Sequence, residues 1–171
     1  MASVTLSLGS NLDPRTHLTS CLDALLLNFR DLSLSSVFES QAVGFDGDNF
    51  LNMVVGINTD LDLESLSALL KEIEDKLGRD RSQPKFSSRT LDIDILTYDG
   101  LSGDFKGIIL PRPEITENAF VLWPLSQVSG KSRHPVLKTT YTELWQNYDK
   151  EKQKLWPVDF QWHGRTISNS V

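Results

Sequence analysis

Apolar residues recur along this chain with two different periods, and the switches between them outline its elements. Val4, Leu6 and Leu8 alternate with polar neighbours, which predicts a strand over residues 4–8. Gly9, Ser10 and Asn11 predict a turn, and Asp13 followed by Pro14 suits an N-cap and first helical position. Leu18, Cys21, Leu22, Leu25, Leu26 and Phe29 then recur at helical spacing, so one stripe of a helix faces a core. Residues 32–40 predict a second strand and residues 41–48, with two glycines, a loop. Residues 49–58 predict a third strand, with Leu51, Met53, Val55 and Ile57 on one face and Phe50 and Asn52 on the other. Leu63, Leu66, Leu69, Leu70, Ile73 and Leu77 form the stripe of a second helix that stops at Gly78. Residues 79–88 are polar, basic and aperiodic, hence a loop, and residues 90–98 predict a fourth strand.

Beyond a turn at Asp99 and Gly100, residues 101–110 suit a small hairpin arm, and Pro111 and Pro113 bracket a rigid bend. Short helices are expected at residues 119–125 and 139–150, whereas the segment from Glu151 mixes Trp156, Phe160 and Trp162 with charges and has no clear period. The order β-α-β-β-α-β is the ferredoxin-like α+β arrangement, an antiparallel sheet with two helices on one face, here with C-terminal helical additions. Its other face is expected to stay open for a ligand. One domain over residues 1–171 is expected, with a core of about residues 1–150 and a tail of residues 151–171.

Composition narrows the class. Hydrophobic residues at 39% and charged residues at 23% are ordinary globular values. The 17 basic residues against 23 acidic ones give a net charge of −6, which disfavours general binding of nucleic acid or anionic membrane. The single cysteine, Cys21, cannot form an internal disulfide, and its place on an apolar stripe marks it as packing. His17, His134 and His163 show no metal-ligand spacing. No apolar run approaches the roughly 20 residues of a membrane helix, and the start of the chain lacks signal-peptide character. A cytoplasmic protein is the expectation.

Candidate chemistry concentrates on the fourth strand. Asp92 and Asp94 lie two apart, so both carboxylates face one way, roughly 6.5–7 Å apart along the strand. Such a pair suits magnesium, which is usually held by carboxylates together with substrate phosphates. A wet face of an amphipathic strand would show the same spacing. The preceding loop carries Arg79, Arg81, Lys85 and Arg89. These cations could pair with Glu72, Glu74 or Asp75, or grip a nucleotide's phosphates. A basic loop running directly into paired carboxylates favours a magnesium–nucleotide site. Phe50 beside Asn52 could stack on and hydrogen-bond a flat heterocycle, or simply form a half-buried face. Gly9-Ser10-Asn11 could offer N–H groups to an anion or be a plain turn.

Taken in order, these segments resemble the 6-hydroxymethyl-7,8-dihydropterin pyrophosphokinases of folate biosynthesis. The matching pieces are Leu8-Gly9-Ser10-Asn11-Leu12, Val43-Gly44, Asn49-Phe50-Leu51-Asn52 and Gly78-Arg79-Asp80-Arg81. They continue with Ser88-Arg89-Thr90-Leu91-Asp92-Ile93-Asp94-Ile95-Leu96 and Ala119-Phe120-Val121-Leu122-Trp123-Pro124-Leu125. The resemblance implies magnesium-dependent transfer of diphosphate from ATP to the pterin's hydroxymethyl group, with AMP released. It implies two magnesium ions on Asp92 and Asp94, and a catalytic set of Asp92, Asp94, Arg89 and Arg79. It implies nucleotide contacts from Glu74, Arg81, Arg89, Ile95 and Arg112, and a pterin site of Ser40, Val43, Phe50, Asn52, Phe86 and Phe120. Asp94 is also the candidate to orient or deprotonate the attacking hydroxyl. The partners are therefore two small molecules, and the oligomeric state stays open.

The sequence departs from the family pattern at several positions. Ser87-Ser88 stands where the family usually has Gly-Pro, and Arg112 stands where it commonly has a histidine between two prolines. Asn118 replaces a basic residue and Ala42 a proline. Arg112 could supply positive charge in place of the histidine. These departures also admit a pterin-binding relative with weak or altered transfer. A ferredoxin-like RNA-binding module is disfavoured by net acidity and by the lack of a basic-aromatic strand motif.

Overall fold

The first strand, β1 (Ala2–Ser10), runs past the predicted turn: Gly9 and Ser10 are paired strand residues. The structure, a computed structural model, describes residues 1–41, 48–77 and 91–170. Helix α1 (Pro14–Phe29) starts with proline as predicted, but Asp13 is in the left-handed region at φ 45° and makes no side-chain cap. Its buried stripe is Leu18, Cys21, Leu22, Leu25 and Phe29, whereas Leu26 lies outside it, 38% exposed. The strand expected over residues 32–40 divides into β2 (Ser33–Leu34) and β3 (Phe38–Ser40). Buried Ser35 causes the break: its hydroxyl, in place of a backbone carbonyl, accepts from the Val54 N–H at 2.9 Å.

Strand β4 (Phe50–Thr59), helix α2 (Leu63–Lys76) and strand β5 (Asp92–Tyr98) complete the expected order. The Asp62 side chain caps α2 by accepting from the Ser65 N–H at 2.7 Å. The strands pair antiparallel in the order β5-β1-β4-β3, the ferredoxin-like arrangement. Helices α1 and α2 cover one face, where Leu6, Leu8, Met53, Val55, Ile93 and Ile95 join their stripes in the main core.

The opposite face is only half open. After the predicted arm, β6 (Gly103–Phe105) and β7 (Ile108–Leu110), come α3 (Glu114–Glu117), α4 (Ala119–Ser129) and α5 (Tyr141–Gln146). Val121, Leu122 and Leu125 of α4 pack on Val54 and Leu96 of that second face. Gly56 permits the approach, since a Cβ there would stand 3.0 Å from Val128. The covering helices thus take the apolar half of the face and leave its polar half.

The segment read as a tail contributes to both layers. Strand β8 (Leu155–Pro157) extends the main sheet beyond β3, and β9 (Phe160–Trp162) pairs with β10 (Arg165–Ser168). Phe160 and Trp162 are buried in the main core, and the Ser168 hydroxyl accepts from the Val37 N–H at 3.0 Å. Strands of three or four residues are too short to show a period, which is why they are silent in the sequence. No helix among the described residues is long and apolar enough to cross a membrane.

Candidate active site

The polar half of the second face is built on one row of residues. Gly9 in the central β1 stands opposite Asp92 of β5 on one side and Asn52 of β4 on the other, and Asn52 stands opposite Phe38 of β3. Directly opposed residues project to the same face, so Asp92, Gly9 and Asn52 line up across three strands. Two strand spacings, roughly 10 Å, separate the carboxylate from the amide. Gly9 leaves the floor between them bare: a Cβ there would lie 3.0 Å from Asn52 Oδ1. Its neighbours Ser10 and Asn11 predict a turn at Gly9, yet an isolated glycine in a strand pattern signals such a close approach.

Asn52 is 6% exposed, and its Nδ2 donates to Ser40 Oγ at 2.9 Å. That bond fixes the amide plane from the neighbouring strand. Phe50, half-buried, pairs with Ser40 in the same register. Phe120, in the first turn of α4, borders a cleft of about 360 Å³ that Ser40 also lines. These elements bring Ser40, Phe50, Asn52 and Phe120 to one end of the row.

At the other end, Asp92 and Asp94 lie on one face of β5 while Ile93 and Ile95 are buried in the main core. Ile95, implied as a nucleotide residue, has its side chain in the main core and could meet a nucleotide through its backbone. Glu74, the helix glutamate implied as a nucleotide contact, is bound to the same strand. It is 6% exposed on α2, and its Oε2 accepts from the Ile93 N–H at 2.8 Å. That carboxylate fastens the outer edge of β5 between the two aspartates.

Arg112 reaches the site through a bulge. Leu6 pairs with Ile95 but Thr5 with Thr97, so Leu96 is an extra residue in β5. Its carbonyl accepts from the Arg112 N–H at 2.9 Å, tying the proline-flanked bend to the strand. The guanidinium then stands between two carboxylates, with Nη2 3.6 Å from Asp94 Oδ1 and Nε donating to Glu114. This places a permanent cation beside the aspartate pair.

Two half-exposed carboxylates on one strand supply hard oxygen donors of the kind magnesium takes, and magnesium commonly keeps several waters and substrate oxygens besides. Among the described residues no group of three acidic, histidine or cysteine side chains could hold a metal ion. Arg79, Arg81, Phe86, Arg89 and Val43, with Ser87-Ser88 and Ala42, lie outside the described residues. At Gly9-Ser10-Asn11, Gly9 and Ser10 belong to the sheet and not to a turn, and the Asn11 amide donates to the Asp48 carbonyl at 3.2 Å. Cys21 is fully buried, and burial, then the charge of Glu74, pushes its thiol above the ordinary range.

The fold and this row together define an α+β enzyme class that presents an acidic strand beside a heterocycle-sized recess. Residues 5–130 match the family model of the 7,8-dihydro-6-hydroxymethylpterin-pyrophosphokinases. The chain belongs to that family and is a pyrophosphokinase.

It is 32% identical over 146 residues to the 2-amino-4-hydroxy-6-hydroxymethyldihydropteridine pyrophosphokinase of Aquifex aeolicus, covering 84% of this chain and 91% of the relative. It is 37% identical over 128 residues to the enzyme of the same name from Bacillus subtilis, covering 72% and 75%. Among solved structures, an HPPK-DHPS in complex with substrates superposes with a TM-score of 0.75 at 12% identity, over 98% of this chain and 48% of the other. Wild-type Plasmodium falciparum HPPK-DHPS with pteroate superposes with a TM-score of 0.73 at 15% identity, over 98% and 47%. This chain spans about half the length of those structures, and at such identities they speak for the fold. The transferase reading is favoured over the binding-only relative.

Proposed function

We propose that the chain transfers the terminal diphosphate of ATP to the hydroxymethyl oxygen of 6-hydroxymethyl-7,8-dihydropterin, releasing AMP. The observation that carries this is the Asp92–Gly9–Asn52 row, which sets a carboxylate and a buried amide at opposite ends of a bare floor. Asn52 reads the edge of the pterin, with Ser40 holding its amide, while Phe50 and Phe120 offer flat apolar surface to the ring. Asp92 and Asp94 would hold magnesium, which would supply positive charge against the nucleotide's phosphates. Arg112 binds phosphate oxygen beside Asp94, and Arg79, Arg81 and Arg89 are proposed to grip the rest of the triphosphate. Asp94 orients the attacking hydroxyl.

The chemistry asked of the protein is alignment and charge compensation. The acceptor oxygen must meet the β-phosphorus in line with the departing AMP oxygen, and a rigid three-strand floor fixes the acceptor end of that line. A reducing compartment, the cytoplasm, suits a chain whose one cysteine is buried and unbridged. The test is AMP release by the purified protein. AMP should appear in step with diphosphorylated pterin, and only when ATP, magnesium and the hydroxymethyl pterin are all present. Release of ADP, or AMP formation indifferent to the pterin, would refute the assignment.

A further inference from the structure

The cleft beside Ser40 and Phe120 has a third wall that neither sequence reading nor the family resemblance assigned. Residues 151–156 close it, and Gln153 is the residue that holds them there. Gln153 is half-buried and uses both ends of its amide. Its Oε1 accepts from the Ala119 N–H at 2.7 Å, and its Nε2 donates to Asn118 Oδ1 at 2.8 Å. Ala119 is the first residue of α4, whose N-cap Asn118 makes no side-chain cap of its own. Gln153 therefore satisfies an N–H that the helix leaves without an internal partner, and does so from the far side of the cleft.

Two residues further on, Leu155 of β8 stands directly opposite Ser40 of β3, and Trp156 opposite Glu39. The segment thus grips both sides of the recess at once. On one side it pairs with the strand whose Ser40 holds the Asn52 amide, and on the other it fixes the helix turn that carries Phe120. A volume of about 360 Å³ is at the small end of ligand pockets, which suits one bicyclic ring. Trp156, 41% exposed at the rim, adds an aromatic surface at the mouth.

We propose that Gln153 is a positioning residue of the acceptor site: it sets Phe120 against the Ser40–Asn52 pair and makes residues 151–156 the outer wall that limits acceptor size. This rests on the acceptor assignment above. Gln153 touches no reacting atom, so its removal should loosen acceptor binding without disturbing the nucleotide end.

The test is fluorescence titration with 6-hydroxymethylpterin, run beside steady-state kinetics, on the full chain and on Gln153→Ala and Gln153→Glu. Gln153→Ala should raise the acceptor's Kd and KM roughly tenfold, the factor carried by one to two net hydrogen bonds. Its KM for ATP should stay as in the parent. Gln153→Glu should recover most of the loss, because a carboxylate still accepts from Ala119 N–H and from a flipped Asn118 amide. Should Gln153→Ala fold poorly, Asn118→Ala removes one of the two bonds and should show the same acceptor-only loss at smaller size. Unchanged acceptor affinity in Gln153→Ala, or equal losses for both substrates, would overturn the proposal. A parent protein that binds the pterin normally in either case leaves the transferase reading standing, whereas a parent that binds no pterin overturns both.

Discussion

Glu74 and Ile93 are joined by a 2.8 Å hydrogen bond from the strand's N–H to the helix's carboxylate. Among the described residues β5 ends the sheet, so this N–H points to the sheet's edge. A side chain from α2 stands in for the missing neighbour. The consequence is functional, because Ile93 lies between Asp92 and Asp94 and its backbone sets their separation.

Glu74→Gln should therefore preserve fold and turnover better than Glu74→Ala, since an amide oxygen still accepts from Ile93. The alanine variant leaves a buried N–H without this acceptor, at a cost of roughly 1–3 kcal/mol. Denaturant unfolding, with turnover at saturating magnesium, checks the order. Equal stability of the two variants would mean that the bond contributes nothing.

Gly9→Ala tests the bare floor. The added methyl would meet Asn52 Oδ1 at 3.0 Å, and the amide is held from the other side by Ser40, so it must rotate out of its plane. Acceptor affinity should fall roughly threefold to tenfold, the range of one misplaced hydrogen bond, with nucleotide affinity nearly unchanged. Asn52→Ala should fall at least as far by calorimetry. Equal weakening of both ligands in either variant would show a structural role instead.

Arg112→Ala removes the cation 3.6 Å from Asp94. The nucleotide's Kd should rise roughly tenfold or more, as the loss of a charge-assisted bond of about 1.5–3 kcal/mol implies. Pterin affinity measured without nucleotide should hold. Arg112→His should restore part of the loss, and more at pH 6 than at pH 8, as the imidazole gains its proton. Unaltered binding of ATP analogues by the alanine variant would reduce Arg112 to a partner of Glu114.

The main elements were legible because their periods are long and clean. The stripes of α1 and α2 and the alternation in β4 and β5 left little choice of fold. The Asp92–Asp94 pair and Asn52 could be placed on their strands by counting in twos. Lateral relationships were not legible, since a linear pattern says nothing about register. Gly9 read as a turn because its neighbours Ser10 and Asn11 are turn formers, yet pairing with β4 and β5 carries the strand through it. The motif around Ile95 implies a nucleotide contact, and alternation in β5 turns its side chain inward, which leaves its backbone for that contact. The covering of the second face by α4 depends on Gly56 and Val54, whose partners lie far along the chain. The short C-terminal strands have too few residues to show any period.

His134 gives a pH-dependent stability. Its Nδ1 accepts from the N–H groups of Val136 at 3.2 Å and Leu137 at 3.1 Å, which requires a neutral ring. Burial lowers its pKa from the ordinary 6.5. A base with a depressed folded-state pKa contributes stability that is present above its unfolded value and is lost as pH falls through the folded one. The melting temperature should therefore fall on acidification from pH 7, and fall less in His134→Asn, whose Oδ1 can accept in place of Nδ1. Parallel melting curves for the two proteins would exclude the effect.

The most direct test of the central claim, that the Asp92–Asp94 face is where diphosphate moves, is turnover of Asp92→Asn and Asp94→Asn across a magnesium titration. Thermal melting of the same samples accompanies it. Each substitution removes a carboxylate that magnesium would use, and the repulsion it relieves offsets the loss of charge pairing such as that of Asp94 with Arg112, so both variants should melt near the parent's temperature. Both should lose most AMP release, with the residual activity displaced to higher magnesium. Near-parental turnover in either variant at ordinary magnesium would contradict the account.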